Sequence, residues 1–174
     1  MSTKSLTLMT IWGFRGRQAL LRMRSSAWQA MIEELGLRGR GNRESGAFLL
    51  ADRAGDGRTV TRVVYLDDLD PDCLTGGIEF NGLAFSKLWD ICDAEERVVI
   101  GDAHTHPGTS VRQSDTDARN PMVAQKGYVA LIIPNFASRP VKAREVGVHQ
   151  YDGDTWRTWK GQDAPQQLFI RRLL

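Results

Sequence analysis

The sequence predicts a mixed α/β (α+β) domain in which a central mixed sheet is flanked by two or three helices. Apolar runs of strand length recur along the chain, bounded by glycine, proline and aspartate. Between them, two segments carry apolar residues at i, i+3, i+4, i+7, the spacing of one helix face. The chain has 174 residues, 41% apolar and 25% charged, which suits one soluble globular domain with a real core.

Taken in order, "ALLRM" (19–23) predicts a short strand. "SSAWQAMIEELG" (25–36) predicts a helix with Ser25 or Ser26 as cap, Trp28, Met31, Ile32 and Leu35 on one face, and Gly36 as the stop. "LRGRGNR" (37–43) reads as a loop. "ESGAFLLADR" (44–53) and "RTVTRVVYLDD" (58–68) flank "AGDG" and form a hairpin. "LDPDCLTGG" (69–77) connects to a short strand "IEF" (78–80). Asn81 then caps a second helix, with Phe85, Leu88, Trp89 and Cys92 on one face. "RVVIGDAHTHP" (97–107) is a buried strand, and "GYVALIIP" (127–134) is another. "REVGVHQYDGDTWRTW" (144–159) makes a hairpin around Asp152, Gly153 and Asp154. The tail "QQLFIRRLL" (166–174) suits either a helix or a strand.

Composition excludes some classes of function. No run of about 18 apolar residues exists, so no membrane-spanning helix is expected. The N-terminal stretch lacks a cleavage signature and reads as mature, cytoplasmic protein. Cys73 and Cys92 make no disulfide framework and suit a reducing compartment. Net charge is only +2, yet arginines cluster early (Arg15, Arg17, Arg22, Arg24, Arg38, Arg40, Arg43) and late (Arg171, Arg172). A solvated face is the simpler reading. A patch for an acidic partner or nucleic acid is the sharper one. No aromatic interleaving accompanies the arginines in sequence, so nucleic acid is not the expected partner.

The chemistry concentrates in "GDAHTHPGTSVRQSDTD" (101–117), which holds two of the three histidines. On an extended segment, residues at i and i+2 share a face, so the rings of His104 and His106 can converge on one ion. A catalytic zinc site takes three protein ligands and leaves the fourth position open. The third ligand falls to Asp115 or Asp117 in the polar loop, which Pro107 turns back toward the strand. Asp115 also suits a helix cap alongside Ser114. Asp102 either orients a histidine ring or is a strand-end carboxylate. His149, far along the chain, reads as a structural histidine.

From His104, a proline stands at +3, a serine at +10 and an aspartate at +13. This arrangement resembles the JAMM (JAB/MPN) metalloproteases, whose pattern is H-x-H-P, about seven residues, S-x-x-D, with a glutamate upstream on an apolar strand. The resemblance covers roughly residues 20–150, and its flanking phrases are most similar to the compact prokaryotic JAB proteins. It implies a single JAB/MPN domain over 1–174, with a core of about 20–159, an N-terminal strand extension and a C-terminal tail. The implied fold is the cytidine deaminase-like MPN sheet. The implied zinc (Zn2+) ligands are His104, His106 and Asp117. "ESGAFLL" makes Glu44 the implied general base, and Ser114 the implied donor to the oxyanion.

The implied activity is that of a zinc-dependent isopeptidase or peptidase cutting after the C-terminal glycine of a ubiquitin-like protein. Ubiquitin-activating-like and ubiquitin-conjugating-like enzymes are the implied partners, in systems that include antiphage defence. The short segment between Glu44 and the histidines points to one ubiquitin-like substrate rather than to chain selectivity. Processing of a sulfur-carrier or a cell-wall or phage-tail peptide is the alternative activity. A non-catalytic MPN interaction module is the alternative class, and it predicts loss of a ligand or of Glu44.

Overall fold

The computed structural model describes residues 18–171. Arg15, Arg17, Arg172 and the expected N-terminal extension lie outside that range.

Six strands form the central mixed sheet. They are β2 (Gly46–Asp52), β3 (Arg62–Tyr65), β4 (Arg97–Thr105), β5 (Val129–Ile133), β6 (Gly147–Tyr151) and β7 (Trp156–Trp159), in spatial order β3-β2-β4-β5-β6-β7. All neighbours are antiparallel except β4 and β5, which run parallel. A separate ribbon pairs β1 (Leu21–Arg24) in parallel with β8 (Leu168–Arg171), so the tail is a strand. The long helices are α1 (Ser25–Gly39) and α3 (Ala84–Ala94). Short helical turns are α2 (Leu66–Leu69), α4 (Asp115–Arg119) and α5 (Ala164–Gln167).

The sheet is covered on both faces, which explains why β2 and β5 read as unbroken apolar runs. Ala47 and Leu49 face one core with Leu131, Ile133, the α1 side chains Trp28, Met31, Ile32 and Leu35, and the ribbon's Leu21, Met23 and Leu168. Phe48 and Leu50 face the other, with Leu66 and Leu69 of α2 and Ala84, Leu88 and Cys92 of α3. Each fully buried large apolar side chain stabilises by about 1.5–3 kcal/mol. The core extends past residue 159, because Ala164 and Leu168 are fully enclosed. Cys73 and Cys92 are buried free thiols. Among the described residues, no helix is long and apolar enough to cross a membrane.

Several local expectations are corrected. Neither Ser25 nor Ser26 caps α1, because β1 runs straight into the helix and extended Arg24 is its N-cap residue. Gly36 does not stop α1; a Cβ there would meet the Ala137 carbonyl oxygen at 2.7 Å, so this glycine permits close packing. The helix ends at Arg40, in the left-handed region. The strand expected over 58–68 shortens to β3 and turns into α2. "IEF" contributes only an isolated bridge between Leu74 and Ile78. Asn81 stands three residues before α3, yet its side chain accepts the Leu83 N–H at 2.9 Å and so opens that turn.

The early arginines divide by role. Arg38 joins Glu34, Asp67 and Asp68 and stacks on Tyr65, tying α1 to α2. Arg43 donates to the carbonyls of Arg38 and Leu74. Arg22 and Arg24 lie on β1.

Candidate metal centre

β4 carries His104 and leads into His106 at its carboxyl end, and a bulge decides where its side chains point. Leu49 pairs with Gly101 and Leu50 with Val99, so Ile100 is the extra residue on β4. Val99, before the bulge, packs toward α3, and the bulged Ile100 itself packs toward α1. After it, the odd residue Ala103 faces the α1 core, and Asp102 and His104 turn to the α3 side. Gly101 permits this, since a Cβ there would meet the Val129 carbonyl oxygen at 2.2 Å.

β4 and β5 are parallel, so their carboxyl ends open on the same edge, where an α/β sheet leaves room for a ligand. His106 lies just beyond β4. Its N–H donates to Ile133 and its carbonyl accepts from Phe136, which keeps the chain in line past the strand. Thr105, between the histidines, points to the opposite face. Its hydroxyl accepts the Ser45 N–H at 2.9 Å, while the Ser45 hydroxyl donates to the Leu35 carbonyl at 2.7 Å. These buried bonds lock the start of β2 against the histidine strand and α1.

Asp117 comes from α4. Ser114 is its N-cap: Ser114 Oγ accepts the Asp117 N–H at 3.1 Å, and the Ser114 N–H donates to Asp117 Oδ2 at 2.8 Å. This capping box holds the carboxylate 3.4 Å from His106 Nε2 and 3.8 Å from His104 Nε2. Candidate ligand atoms of His104, His106 and Asp117 all lie within 4.8 Å of one another. Ligands about 2.1 Å from a shared tetrahedral ion stand about 3.4 Å apart, close to the two carboxylate–imidazole distances here, so the group is able to hold a metal ion. The donor chemistry also fits. His104 is 7% exposed, and its Nε2 is a buried polar atom with no hydrogen-bond partner.

Asp102 is buried and lies 3.0 Å from His104 Nδ1, which aims Nε2 at the centre. It therefore orients a ring rather than ending a strand. Burial disfavours a charged His104, but Asp102 and Asp117 outweigh this and push its pKa up to about 10. Burial likewise opposes ionisation of Asp117, while both histidines and Ser114 hold its carboxyl well below the ordinary range. Burial, followed by Asp102, keeps the Tyr128 hydroxyl far above its usual pKa and so protonated.

Glu44 precedes β2, two residues before Gly46, which pairs directly with His104. Its N–H donates to Gly76. With Asp102, His104, Ser114 and Asp117 it lines one cleft of about 550 Å³, whose apolar wall includes Ile78, Phe80, Phe85 and Met122. Burial raises the Glu44 pKa, the two histidines lower it, and Asp117 raises it again, with a net rise.

Asp115 is corrected on one count. It is the first residue of α4, not its cap, and its side chain is 97% exposed and directed away from the centre toward Arg119. His149 is structural but not remote. Its Nε2–H donates to the Val111 carbonyl at 2.9 Å and its Nδ1 pairs with Thr158 Oγ1 at 2.9 Å, so it tethers the loop that carries Ser114 and Asp117. Burial lowers its pKa and keeps it neutral. Linear spacing held no sign of this tether, which joins the loop at Val111 to β6 and β7.

No protein-family model matches the chain. Among solved structures, it is similar to protein DSY2949 from Desulfitobacterium hafniense, at 22% identity and a TM-score of 0.60, over 88% of this chain and 94% of that one. That likeness shows a shared fold. A JAB1/MPN domain protein from Archaeoglobus fulgidus, AF2198, aligns at 13% identity and a TM-score of 0.39, over 91% of this chain and all of that one, too loosely to support an argument.

Proposed function

We propose that this protein is a zinc-dependent amide hydrolase of JAMM type, built on an MPN/JAB domain, which cuts after the C-terminal glycine of a ubiquitin-like protein. The observation that carries the reading is the convergence of His104, His106 and Asp117 beside a cleft that His104, Asp117 and Glu44 line together. His104, His106 and Asp117 would hold the ion. Zinc bound there supplies Lewis acidity, which polarises an amide carbonyl and lets water ionise near neutral pH.

The remaining steps belong to side chains. Glu44, with its pKa raised chiefly by burial, takes a proton from water as general base and returns it to the departing amine. Ser114 Oγ already accepts the Asp117 N–H, so its hydroxyl proton is free to donate to the oxyanion. Asp102 holds His104 in one tautomer. The apolar wall takes an extended tail and keeps bulk water out.

The test is incubation with ubiquitin-like fusions, with and without a chelator, read by intact mass. The expected result is a product ending at the terminal glycine, lost with chelator and restored by added zinc. Cleavage indifferent to the chelator would remove the metal mechanism. A metal-bound protein that leaves every such fusion intact would remove the substrate class alone.

A further inference from the structure

We infer that the outer face of the β1–β8 ribbon is a binding surface for single-stranded nucleic acid. Leu21, Met23 and Leu168 point into the core, so the alternate residues Arg22, Arg24, Phe169 and Arg171 point outward. The parallel register sets Arg22 beside Phe169 and Arg24 beside Arg171. Phe169 is 51% exposed, a large ring standing in solvent among guanidinium groups. The interleaving that the linear sequence lacks is thus supplied by pairing the two ends of the described chain.

These side chains line a shallow groove of about 1080 Å³ that includes three arginines and no acidic residue. Among the described residues, Arg24 and Arg171 have no carboxylate within ion-pairing distance. Arg22 pairs with Asp56 at 2.9 Å, but both side chains are more than a third exposed, so a phosphate can displace that contact. Arg58 adjoins the groove through its bond to Gln18. The flanking sequence adds only positive charge: Lys4, Arg15 and Arg17 before residue 18, with no Asp or Glu, and Arg172 after Arg171.

Guanidinium groups at strand spacing meet a phosphate backbone, and an exposed ring between them offers a base a stacking platform. An acidic peptide gains nothing comparable from the ring, and a single concave groove suits a strand better than a lipid surface. The ribbon packs on the α1 side, opposite the metal centre, so the inference stands apart from the hydrolase reading.

Fluorescence anisotropy of a labelled oligothymidylate with the full chain tests it. Binding is expected at about 50 mM salt, falling with a log–log slope of about −2, as for three arginine–phosphate contacts to a single strand. Arg24→Gln with Arg171→Gln weakens binding roughly tenfold and flattens the slope. Phe169→Leu weakens the single strand roughly fivefold and leaves a duplex of equal length unaffected, while Phe169→Tyr keeps a ring and restores binding. The three substituted side chains face solvent, so melting temperatures should stay within a few degrees of wild type, which separates these losses from unfolding. Absence of binding at low salt, or an unchanged affinity in the double variant, overturns the inference. So does tighter binding to polyglutamate or to phosphatidylserine vesicles than to the oligonucleotide.

Discussion

The two faces of β4 differ in kind. Toward α1, Ala103 packs in an apolar core with Leu49 and Leu131, and the buried hydroxyls of Ser45 and Thr105 there are used in structural hydrogen bonds. Toward α3, Asp102 and His104 are buried as well, but as polar groups in a cleft. Burying such groups is costly unless they are paired, and here each is paired except for one nitrogen, His104 Nε2. The contrast teaches that alternate residues of one strand divide stability from reactivity, and that the Ile100 bulge chooses which residues serve which end. Substitutions on the two faces should therefore fail in different ways.

The largest effect is expected at the cleft. Glu44→Gln should lower hydrolysis by about 100-fold to 10,000-fold while metal content and melting temperature hold, as checked by rate, elemental analysis and thermal denaturation. A fully active variant would remove Glu44 as the base. On the α1 face, Leu131→Ala should lower stability by about 2–5 kcal/mol in a denaturant titration, while the folded fraction still takes up metal in full. Loss of metal at unchanged stability would break the separation of the two faces.

Asp102→Asn is a finer probe, because it keeps the shape but not the charge behind His104. Metal affinity should fall about 10-fold to 100-fold in a competition assay with a chromogenic chelator.

The charged state of His104 sharpens the comparison through pH. Its pKa rises from 6.5 to about 10 in the metal-free fold, so its protonated form is the one the fold favours. That contribution is fully present below pH 6.5 and is lost as pH climbs through about 10. The metal-free protein should therefore melt at progressively lower temperature over this window, and scanning calorimetry with zinc present should show the decline removed. The smallest effect belongs to exposed Asp115. Asp115→Ala should change stability by less than about 0.5 kcal/mol and keep the metal, whereas Asp117→Ala should lose it. The reverse result would mean that the wrong carboxylate has been chosen.

Much of the candidate site's geometry was legible because it is local. His104 and His106 are two residues apart on an extended segment, and Ser114 and Asp117 sit three apart across a helix start, so each pair's geometry follows from backbone periodicity alone. α1's buried face and the β6–β7 hairpin were legible for the same reason. The helix stop at Gly36 misled because packing against Ala137, not termination, explains that glycine. Asp115 misled because either position could begin a helix, and only the capping box distinguishes them.

By itself the sequence determined the apolar periods, the spacing of the candidate metal ligands and the positive charge at both ends of the chain. The tertiary structure alone decided that Asp102 stands behind His104, that His149 holds the loop of Ser114 and Asp117, and that Phe169 lies among arginines of a distant strand. The physical reason is that side-chain direction follows from strand period only until a bulge inverts it. Contacts between remote segments depend on register, which is set by how both faces of the sheet are buried at once.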